Sequence, residues 1–400
     1  MRLALVSLHT SPLARPGEGD AGGMNVVLVG LADALTASGV EAVLVTRAES
    51  PDAPGRVAHT AGGTPVHRLA AGPLAPVAKS ALPPLVPEFA RALAGLGRFD
   101  VVHSNYWLSG LAGLPVARAT GAPHVLSLHT VAALKNSRLA AGDRPEPAAR
   151  LEAERMLVRD SDLTLAHTEA ERSAILDHDE ASPERVAVVP PGVDTTLFHP
   201  DPATHRGDRR PYLLVLARIQ PLKGVDLALR AFALLPSQAR PRLVVAGGVS
   251  PGHEAYGDEL ERLARELGVA DTVDFLGPRS REQAAELLRG ADLLLVPSHS
   301  ETFGLVALEA AASGTPVVAA SSTGLLDSVE DGVSGLLLPS REPVLWAAAI
   351  GRLLDHPSRL RELSRTAQAF GARRSWSAVA ADTLRHYEAL LATPTHPEAP

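Results

Sequence analysis

The sequence has no cysteine among its 400 residues. This absence excludes disulfides, thiolate metal sites and cysteine nucleophiles, and it is typical of proteins that work in a reducing compartment. Basic residues are not in excess either, because 38 Lys and Arg stand against 45 Asp and Glu. We therefore expect no nucleic-acid partner, since a protein that binds by neutralising phosphates needs a basic surplus.

Long apolar runs are also absent. No uninterrupted apolar stretch reaches the roughly 20 residues that a membrane helix requires, so we expect no transmembrane segment. The N-terminal MRLALVSLHTSP has one Arg and a short apolar run without a small-residue cleavage pattern. This predicts a first strand rather than a signal peptide, and we expect the protein to reside in the cytoplasm.

The composition that is present is that of a folded globular protein, with 46% apolar and 21% charged residues. A chain of 400 residues exceeds what one hydrophobic core usually organises, so two domains are expected. A segment at 190–211 is rich in Pro and charge and predicts the hinge between them. We expect an N-terminal domain over 1–200, onto which a C-terminal helix within 375–393 packs back, and a C-terminal domain over 201–374.

Apolar runs without polar alternation recur in both halves and predict the strands. In the first half they lie at 3–8, 40–46, 101–103 and 124–128, and in the second half at 212–216, 242–246, 273–276, 293–297 and 316–319. Helical spacing separates them, as at 24–38 and 305–312. Strands of this kind are covered on both faces, so each half is predicted to be a doubly wound, Rossmann-like α/β unit with a parallel sheet.

The loop GEGDAGGMN at 17–25 contains a G-x-G-x-x-G spacing. In the dinucleotide fingerprint the first glycine follows its strand directly, whereas here eight residues with two prolines separate Leu8 from Gly17. Gly22 and Gly23 still allow a close approach of the backbone to a ligand, and the helix start at Met24 favours an anion or a polarised hydroxyl. The alternative is a flexible turn that caps a helix.

Two further loops carry charges at strand ends. ARIQPLKG at 217–224 places Arg218 and Lys223 where open α/β sheets bind ligands, and two cations there suit a diphosphate. PSHSETFGLVALEA at 297–310 separates Glu301 from Glu309 by eight residues, about 12 Å of helix, with a helix start predicted near Thr302 and Phe303. The alternatives are solvated surface cations and, for Glu301, a helix cap.

These motifs together resemble a known family. ARIQPLKG, AGG at 246–248, the E-x7-E of 301–309 and ASGTPVVA resemble the donor half of retaining GT-B glycosyltransferases of family 4, which include sucrose-phosphate synthases, glycogen synthases and mannosyltransferases. HTSP at 9–12, GDAGGMN at 19–25, HSNYWLSG at 103–110, SLHT at 127–130 and VPPGVD at 189–194 resemble the actinobacterial branch that begins mycothiol biosynthesis. The resemblance implies a GT-B fold, in which a cleft lies between two Rossmann-like domains.

The resemblance also implies roles for individual residues. The implied catalytic residues are Arg218, Lys223, Glu301 and His129. The implied donor-binding residues are Gly22, Gly23, Arg218, Lys223, Arg279 at the uracil end, Glu301 at the sugar, Thr302, Phe303, Gly304, Leu305, and Glu309 at the ribose. The implied acceptor-binding residues are His9, Asp20, Ala21, Gly22, Gly23, Met24, Asn25, Lys79, Tyr106, Thr130 and Arg150.

Taken singly, several of these residues have ordinary alternatives. Lys79 and Arg150 are the kind of residues that usually form surface charges, Tyr106 can be an edge of the core, and His129 can be a satisfied histidine at a strand end. The sequence departs from the family at Ala217, where Gly is usual, at Asn105, where the branch commonly has His, and at 323–329, beside the expected donor pocket.

The function implied is that of a retaining hexosyltransferase that moves N-acetylglucosamine from UDP-N-acetylglucosamine to 1D-myo-inositol 3-phosphate. No metal site and no required cofactor are expected, although Mg²⁺ is expected to stimulate modestly. The sequence does not decide whether the protein forms a homodimer. The alternatives are a paralogue with a sucrose-type, lipid-linked or natural-product acceptor and, from other classes, an NAD-dependent oxidoreductase or a non-catalytic nucleotide-sugar sensor.

Overall fold

The computed structural model describes residues 1–14, 22–137, 145–179, 181–201, 211–238 and 240–392. Contacts divide the described chain into two compact units. One comprises Met1–Gly192 together with the described part of Trp376–Pro400, and the other comprises Val193–Ser375. None of the helices within the described ranges combines the length and the apolar composition that a bilayer-spanning helix requires.

The first unit is built on an eight-stranded sheet with the order β3-β4-β2-β1-β5-β6-β7-β8. The strands are β1 (Arg2–Ser7), β2 (Glu41–Arg47), β3 (Val57–His59), β4 (Pro65–Leu69), β5 (Val101–Asn105), β6 (His124–Ser127), β7 (Leu163–Ala166) and β8 (Val186–Val188). All neighbours are parallel except β3 and β4 at one edge. β1 is apolar on both faces and its central residues are fully buried, as expected for a covered parallel strand.

The second unit has a six-stranded, wholly parallel sheet with the order β11-β10-β9-β12-β13-β14. Its strands are β9 (Tyr212–Leu216), β10 (Arg242–Ala246), β11 (Val273–Gly277), β12 (Leu293–Val296), β13 (Val317–Ala320) and β14 (Gly335–Leu338). One continuous apolar core lies around this sheet. The prediction of two doubly wound α/β units is confirmed.

Helices cover the faces of both sheets. In the first unit they are α1 (Gly23–Ala37), α2 (Val86–Ala94), α3 (Trp107–Thr120), α4 (Ala132–Asn136), α5 (Ala148–Asp160) and α6 (Glu169–His178). In the second they are α7 (Val225–Ala233), α8 (Glu254–Glu266), α9 (Arg281–Gly290), α10 (Leu305–Ala312), α11 (Leu325–Ser328), α12 (Pro343–Leu354) and α13 (Pro357–Ala372). The last helix, α14 (Trp376–Ala392), belongs to the first unit, where the Tyr387 hydroxyl lies 2.7 Å from His103 Nδ1.

Strands β3, β4, β7, β8 and β14 were not predicted from the sequence. Each has only three to five residues, but predicted strands such as β6 and β12 are equally short, so length alone does not explain the difference. β3 is also an exposed edge strand without an apolar run. Tertiary pairing, rather than local pattern, makes these segments strands.

The strand order creates a topological switch point in the middle of each sheet. In the first sheet the chain proceeds outward from β1 to β2 on one side and from β5 to β6 on the other. In the second sheet β9 and β12 hold the corresponding central positions. Open α/β sheets bind ligands beyond the carboxyl ends of the strands at such a point. The loops that follow β1, β5, β9 and β12 are therefore the candidate ligand-binding loops.

Candidate active site

In the second unit, the two charged loops of the sequence meet at the switch point. Lys223 ends a single 3-10 turn, Pro221–Lys223, in the loop after β9, and Glu301 lies in the loop after β12. Lys223 Nζ lies 2.7 Å from Glu301 Oε1, and each side chain is only 14% exposed. The partly buried pair places one cation and one carboxylate at the carboxyl ends of adjacent strands.

Glu301 is fixed by further hydrogen bonds within its own unit. Ser298 Oγ donates to Glu301 Oε1 over 2.8 Å, and the Glu301 backbone N–H donates to Thr323 Oγ1 over 2.9 Å. Thr323 adopts a positive φ of 34°, and it opens the 323–329 segment in which the sequence departs from the family. That segment therefore borders Glu301 directly.

The helix after Glu301 begins later than predicted. α10 starts at Leu305, and Gly304 caps it with a left-handed φ of 87°, so the predicted start near Thr302 and Phe303 is wrong. The 12 Å of helical rise expected between Glu301 and Glu309 does not apply, because 301–304 is not helical. Among the described residues no side chain caps the start of α10, although the Ala307 N–H of its first turn donates to Gly304 O over 2.9 Å.

Arg218 is exposed in the loop after β9, close to the AGG motif. Ala217 N–H donates to Ala246 O, and a Cβ on Gly247 would lie 1.8 Å from Ala217 O. Only glycine fits this contact, in which the loop after β10 supports the backbone that presents Arg218. Arg279 is also exposed, and its guanidinium donates to the Leu276 carbonyl.

Glu309 pairs with a residue that was missed in the sequence analysis. Arg281 Nη2 lies 3.2 Å from Glu309 Oε1, and the Arg281 guanidinium also stacks 5.2 Å from the Phe198 ring. Burial raises the pKa of Glu309 to about 7, although the charge of Arg281 opposes the shift. The segment GPRSRE at 277–282 contains both Arg279 and Arg281. Only the positions of their side chains show that Arg281 is the one that contacts Glu309.

In the first unit, three of the predicted acceptor residues gather around the ring of Tyr106. His9 follows β1 and Tyr106 follows β5, and their ring centroids are 4.2 Å apart. Lys79 Nζ lies 4.5 Å and Arg150 Cζ lies 4.7 Å from the Tyr106 centroid. Tyr106 has a φ of 78°, a strained conformation for a non-glycine residue that the packing around it holds in place.

Arg150 is held from several sides and is only 3% exposed, so its interpretation as a surface charge is wrong. Its Nη2 donates to Thr130 O over 2.6 Å and to Thr130 Oγ1 over 2.9 Å. Its Nε donates to Glu154 Oε1 over 2.6 Å, and its Nη1 lies 3.0 Å from Glu146 Oε2. The sequence did not identify Glu146 or Glu154, although both lie four residues from Arg150, the spacing of helical ion pairs.

The cations change the titration of their neighbour. Burial, together with the charges of Lys79 and Arg150, lowers the pKa of His9 to about 3. His9 is therefore a neutral ring at physiological pH. Lys79 is exposed, whereas Arg150 is buried, so the positive charge runs from the surface inward along Tyr106.

His129 lies in a buried chain of hydrogen bonds. It has a φ of 60°, its Nε2 is 2.8 Å from Asn105 Oδ1, and its Nδ1 is 3.0 Å from His167 Nε2. His167 Nδ1 reaches the Val189 carbonyl at 3.2 Å. Burial and the neighbouring histidine hold the pKa of His129 well below its usual value. Both ring nitrogens of His129 therefore have hydrogen-bond partners within the first unit. This agrees with the alternative interpretation of His129 as a satisfied histidine at a strand end.

The glycine-rich loop is described only in part. Asp20 and Ala21 lie outside the described residues, whereas Gly22 precedes α1, and Gly23 and Met24 begin it. The Asn25 side chain is buried and donates to Ser11 O over 2.6 Å. It therefore ties the loop after β1 to the first helix.

Comparisons with known proteins match both units. The family model described as Glycosyltransferase Family 4 matches residues 21–197, and the one described as Glycosyl transferases group 1 matches residues 201–370. Proteins named D-inositol 3-phosphate glycosyltransferase from Thermobispora bispora and Frankia alni are 43% and 45% identical to this chain. The alignments cover 98% and 96% of this chain, and 95% and 98% of those proteins.

Among solved structures, the chain is similar to the sucrose-phosphate synthase (tll1590) from Thermosynechococcus elongatus, with a TM-score of 0.86 and 29% sequence identity. The match covers 98% of this chain and 99% of that one. Anabaena Alr3699/HepE, solved in complex with UDP and glucose, shares the fold with a TM-score of 0.76 at 21% identity over 97% and 100% of the two chains. With two α/β units, both domain matches and full-length relatives above 40% identity, the chain belongs to the GT-B glycosyltransferase family that includes the D-inositol 3-phosphate glycosyltransferases.

Proposed function

We propose that this glycosyltransferase transfers N-acetylglucosamine from UDP-N-acetylglucosamine to 1D-myo-inositol 3-phosphate. The observation that carries the proposal is the grouping of Lys79, Arg150 and neutral His9 around the Tyr106 ring. Thr130 accepts a hydrogen bond from Arg150 beside them. The names of the full-length relatives support the same acceptor.

The acceptor site offers the groups that a phosphorylated cyclitol requires. Two cations beside one aromatic ring can neutralise a phosphate dianion through charge-assisted hydrogen bonds. Neutral His9 can donate or accept a hydrogen bond, which suits ring hydroxyls better than a third positive charge would. We assign recognition of the phosphate to Lys79, Arg150, Tyr106 and Thr130.

The second unit supplies the groups for a nucleotide-sugar donor. We assign the diphosphate to Arg218, Lys223 and the uncapped start of α10, because cations and helix N–H groups both stabilise negative charge. Glu301 is assigned to the donor sugar and Glu309 to the ribose. The Arg281 contact holds Glu309 in place, and Arg279 is assigned to the uracil end.

The reaction proposed is a retaining transfer by attack on the same face as the leaving group. The acceptor hydroxyl attacks the anomeric carbon while the bond to UDP breaks, and the leaving phosphate takes the proton of the hydroxyl. Arg218 and Lys223 stabilise the charge that develops on that phosphate, so no metal is required. We also propose that His129, which is hydrogen-bonded to Asn105 and His167, is one of the catalytic residues of this transfer.

The test is a mass-spectrometric screen that offers UDP-N-acetylglucosamine, UDP-glucose and NAD with inositol 3-phosphate, free inositol and a sugar phosphate. The proposal expects transfer from UDP-N-acetylglucosamine to inositol 3-phosphate, with a much lower kcat/KM for inositol. Equal kcat/KM for inositol and its phosphate would refute the acceptor assignment. Product from the sugar phosphate alone would favour a second candidate, a sucrose-type transferase, which the likeness to sucrose-phosphate synthase supports.

A further inference from the structure

The carboxylate of Glu146 bridges two cations beside the acceptor residues. Its Oε2 lies 3.0 Å from Arg150 Nη1, and its Oε1 accepts a hydrogen bond from Lys135 Nζ over 2.5 Å. Glu146 precedes α5, whereas Lys135 lies at the end of α4. The Glu146 side chain thus pairs with Nη1 of Arg150, the arginine that we assign to the acceptor phosphate.

The other bonds of Arg150 hold it firmly in place. Nε and Nη2 are committed to Glu154 and Thr130, and both partners approach within 3 Å. The Glu154 side chain is 1% exposed, so the Nε side of the guanidinium faces a buried carboxylate. Nη1 is different, because its carboxylate partner Glu146 is 17% exposed and within reach of solvent.

Glu146 also has an attachment that does not depend on Arg150. Its backbone N–H donates to Asn136 Oδ1 over 2.7 Å, beside the Lys135 contact. Partial burial opposes ionisation of Glu146, but the hydrogen bond from Lys135 and the charge of Arg150 hold its pKa below the usual value. Glu146 is therefore an anion at neutral pH, and it keeps one cation and its backbone anchor when it separates from Arg150.

We propose that Glu146 is an internal counter-ion of the acceptor site, and that the phosphate of the acceptor displaces its carboxylate from Arg150 Nη1. This inference rests on the proposed function. The exchange makes Glu146 a specificity-determining residue, because a neutral acceptor has no charge with which to replace the carboxylate. A phosphate dianion brings more charge than a carboxylate and more acceptor oxygens, so it competes successfully.

The test replaces Glu146 by its near-isosteric amide and measures binding of inorganic phosphate by titration calorimetry, at a pH above about 7 and at low ionic strength. Displacement predicts that Glu146→Gln binds phosphate about tenfold or more tightly than the wild type, since the competing charged bond is gone. Glu152→Gln is the matched control, because Glu152 is an exposed carboxylate on α5, the helix that Glu146 precedes, and the substitution removes the same charge. Its phosphate affinity should stay within about twofold.

The opposite result has a distinct meaning. If Glu146 merely orients Arg150, Glu146→Gln binds phosphate equally or more weakly, and the proposal is overturned. Lack of phosphate binding by both proteins also overturns it. Glu146→Ala, which keeps the backbone bond to Asn136, must change phosphate affinity in the same direction as the amide variant. Phosphate binding needs no sugar transfer, so failure of the proposed function would appear separately, as absence of turnover with inositol 3-phosphate.

Discussion

Lys223 and Glu301 form an ion pair of 2.7 Å although they lie 78 positions apart in the chain. Each follows a central strand of the second sheet, β9 and β12, and the switch point between those strands brings them together. The pair holds Lys223 partly buried and already positioned, so it requires little reorganisation to stabilise a leaving phosphate.

Lys223→Ala should therefore lower kcat by about 10²-fold, the usual effect of removing one preorganised transition-state donor. Glu301 keeps its bond from Ser298, so the melting temperature should change little. Arg230→Ala is a suitable control, because Arg230 is an exposed cation on α7. Steady-state kinetics decide the matter, and full activity of Lys223→Ala would remove this loop from the mechanism.

Lys79→Ala should raise the KM for inositol 3-phosphate by roughly 10-fold or more, because it removes one charge-assisted bond to the phosphate. UDP affinity should be unchanged, since we assign the donor diphosphate to residues of the other unit. The preference for inositol 3-phosphate over inositol should fall in the same variant. An unaltered ratio of kcat/KM for the two acceptors would show that Lys79 does not recognise the phosphate.

Arg150 should behave differently from Lys79, because its removal strands a buried carboxylate. Arg150→Ala is expected to reduce the free energy of unfolding by about 3–5 kcal/mol, and adding Glu154→Gln should restore part of that loss. Arg155→Ala, an exposed change on the same helix, should cost no more than about 0.5 kcal/mol. Urea unfolding of the four proteins measures these differences. Equal losses for the two arginines would contradict the buried pairing.

Glu309 should make stability depend on pH near neutrality. Because its folded pKa is raised from 4.5 to about 7, its contribution favours the folded state below about pH 4.5 and is lost as the pH rises through about 7. The loss is on the order of 3 kcal/mol, since each unit of pKa shift corresponds to about 1.4 kcal/mol. Unfolding curves of wild type and Glu309→Gln should thus diverge across this window, whereas those of the exposed control Glu286→Gln should parallel the wild type. A constant difference between wild type and Glu309→Gln at every pH would refute the shift.

Activity should survive thorough treatment with a chelator, because Arg218 and Lys223 are proposed to stabilise the leaving group in place of a metal. Added Mg²⁺ should increase the rate only modestly. The measurement is the initial rate in excess EDTA, with and without Mg²⁺ restored above the chelator concentration. Complete loss of activity that added metal reverses would show the mechanism to be wrong.

Much of the architecture could be predicted from the sequence, because covered parallel strands need continuous apolar runs. The predicted strands at 212–216 and 242–246 coincide with β9 and β10, and the predicted helix at 305–312 coincides with α10. The predicted start of that helix near Thr302 is wrong, because a glycine in the left-handed conformation at 304 delays it. The short strands were missed because their pairing partners, rather than their own residues, define them.

The sequence by itself determined the α/β class, the residues that stand at strand ends and the family to which they point. Only the tertiary structure decided which side chains meet: Tyr106 with Lys79 and Arg150, Lys223 with Glu301, and Glu309 with Arg281, a partner that the sequence did not indicate. The physical reason is that contacts across a sheet depend on strand order, which no local pattern encodes. Burial, likewise a property of the whole fold, then lowered the pKa of His9 and raised that of Glu309.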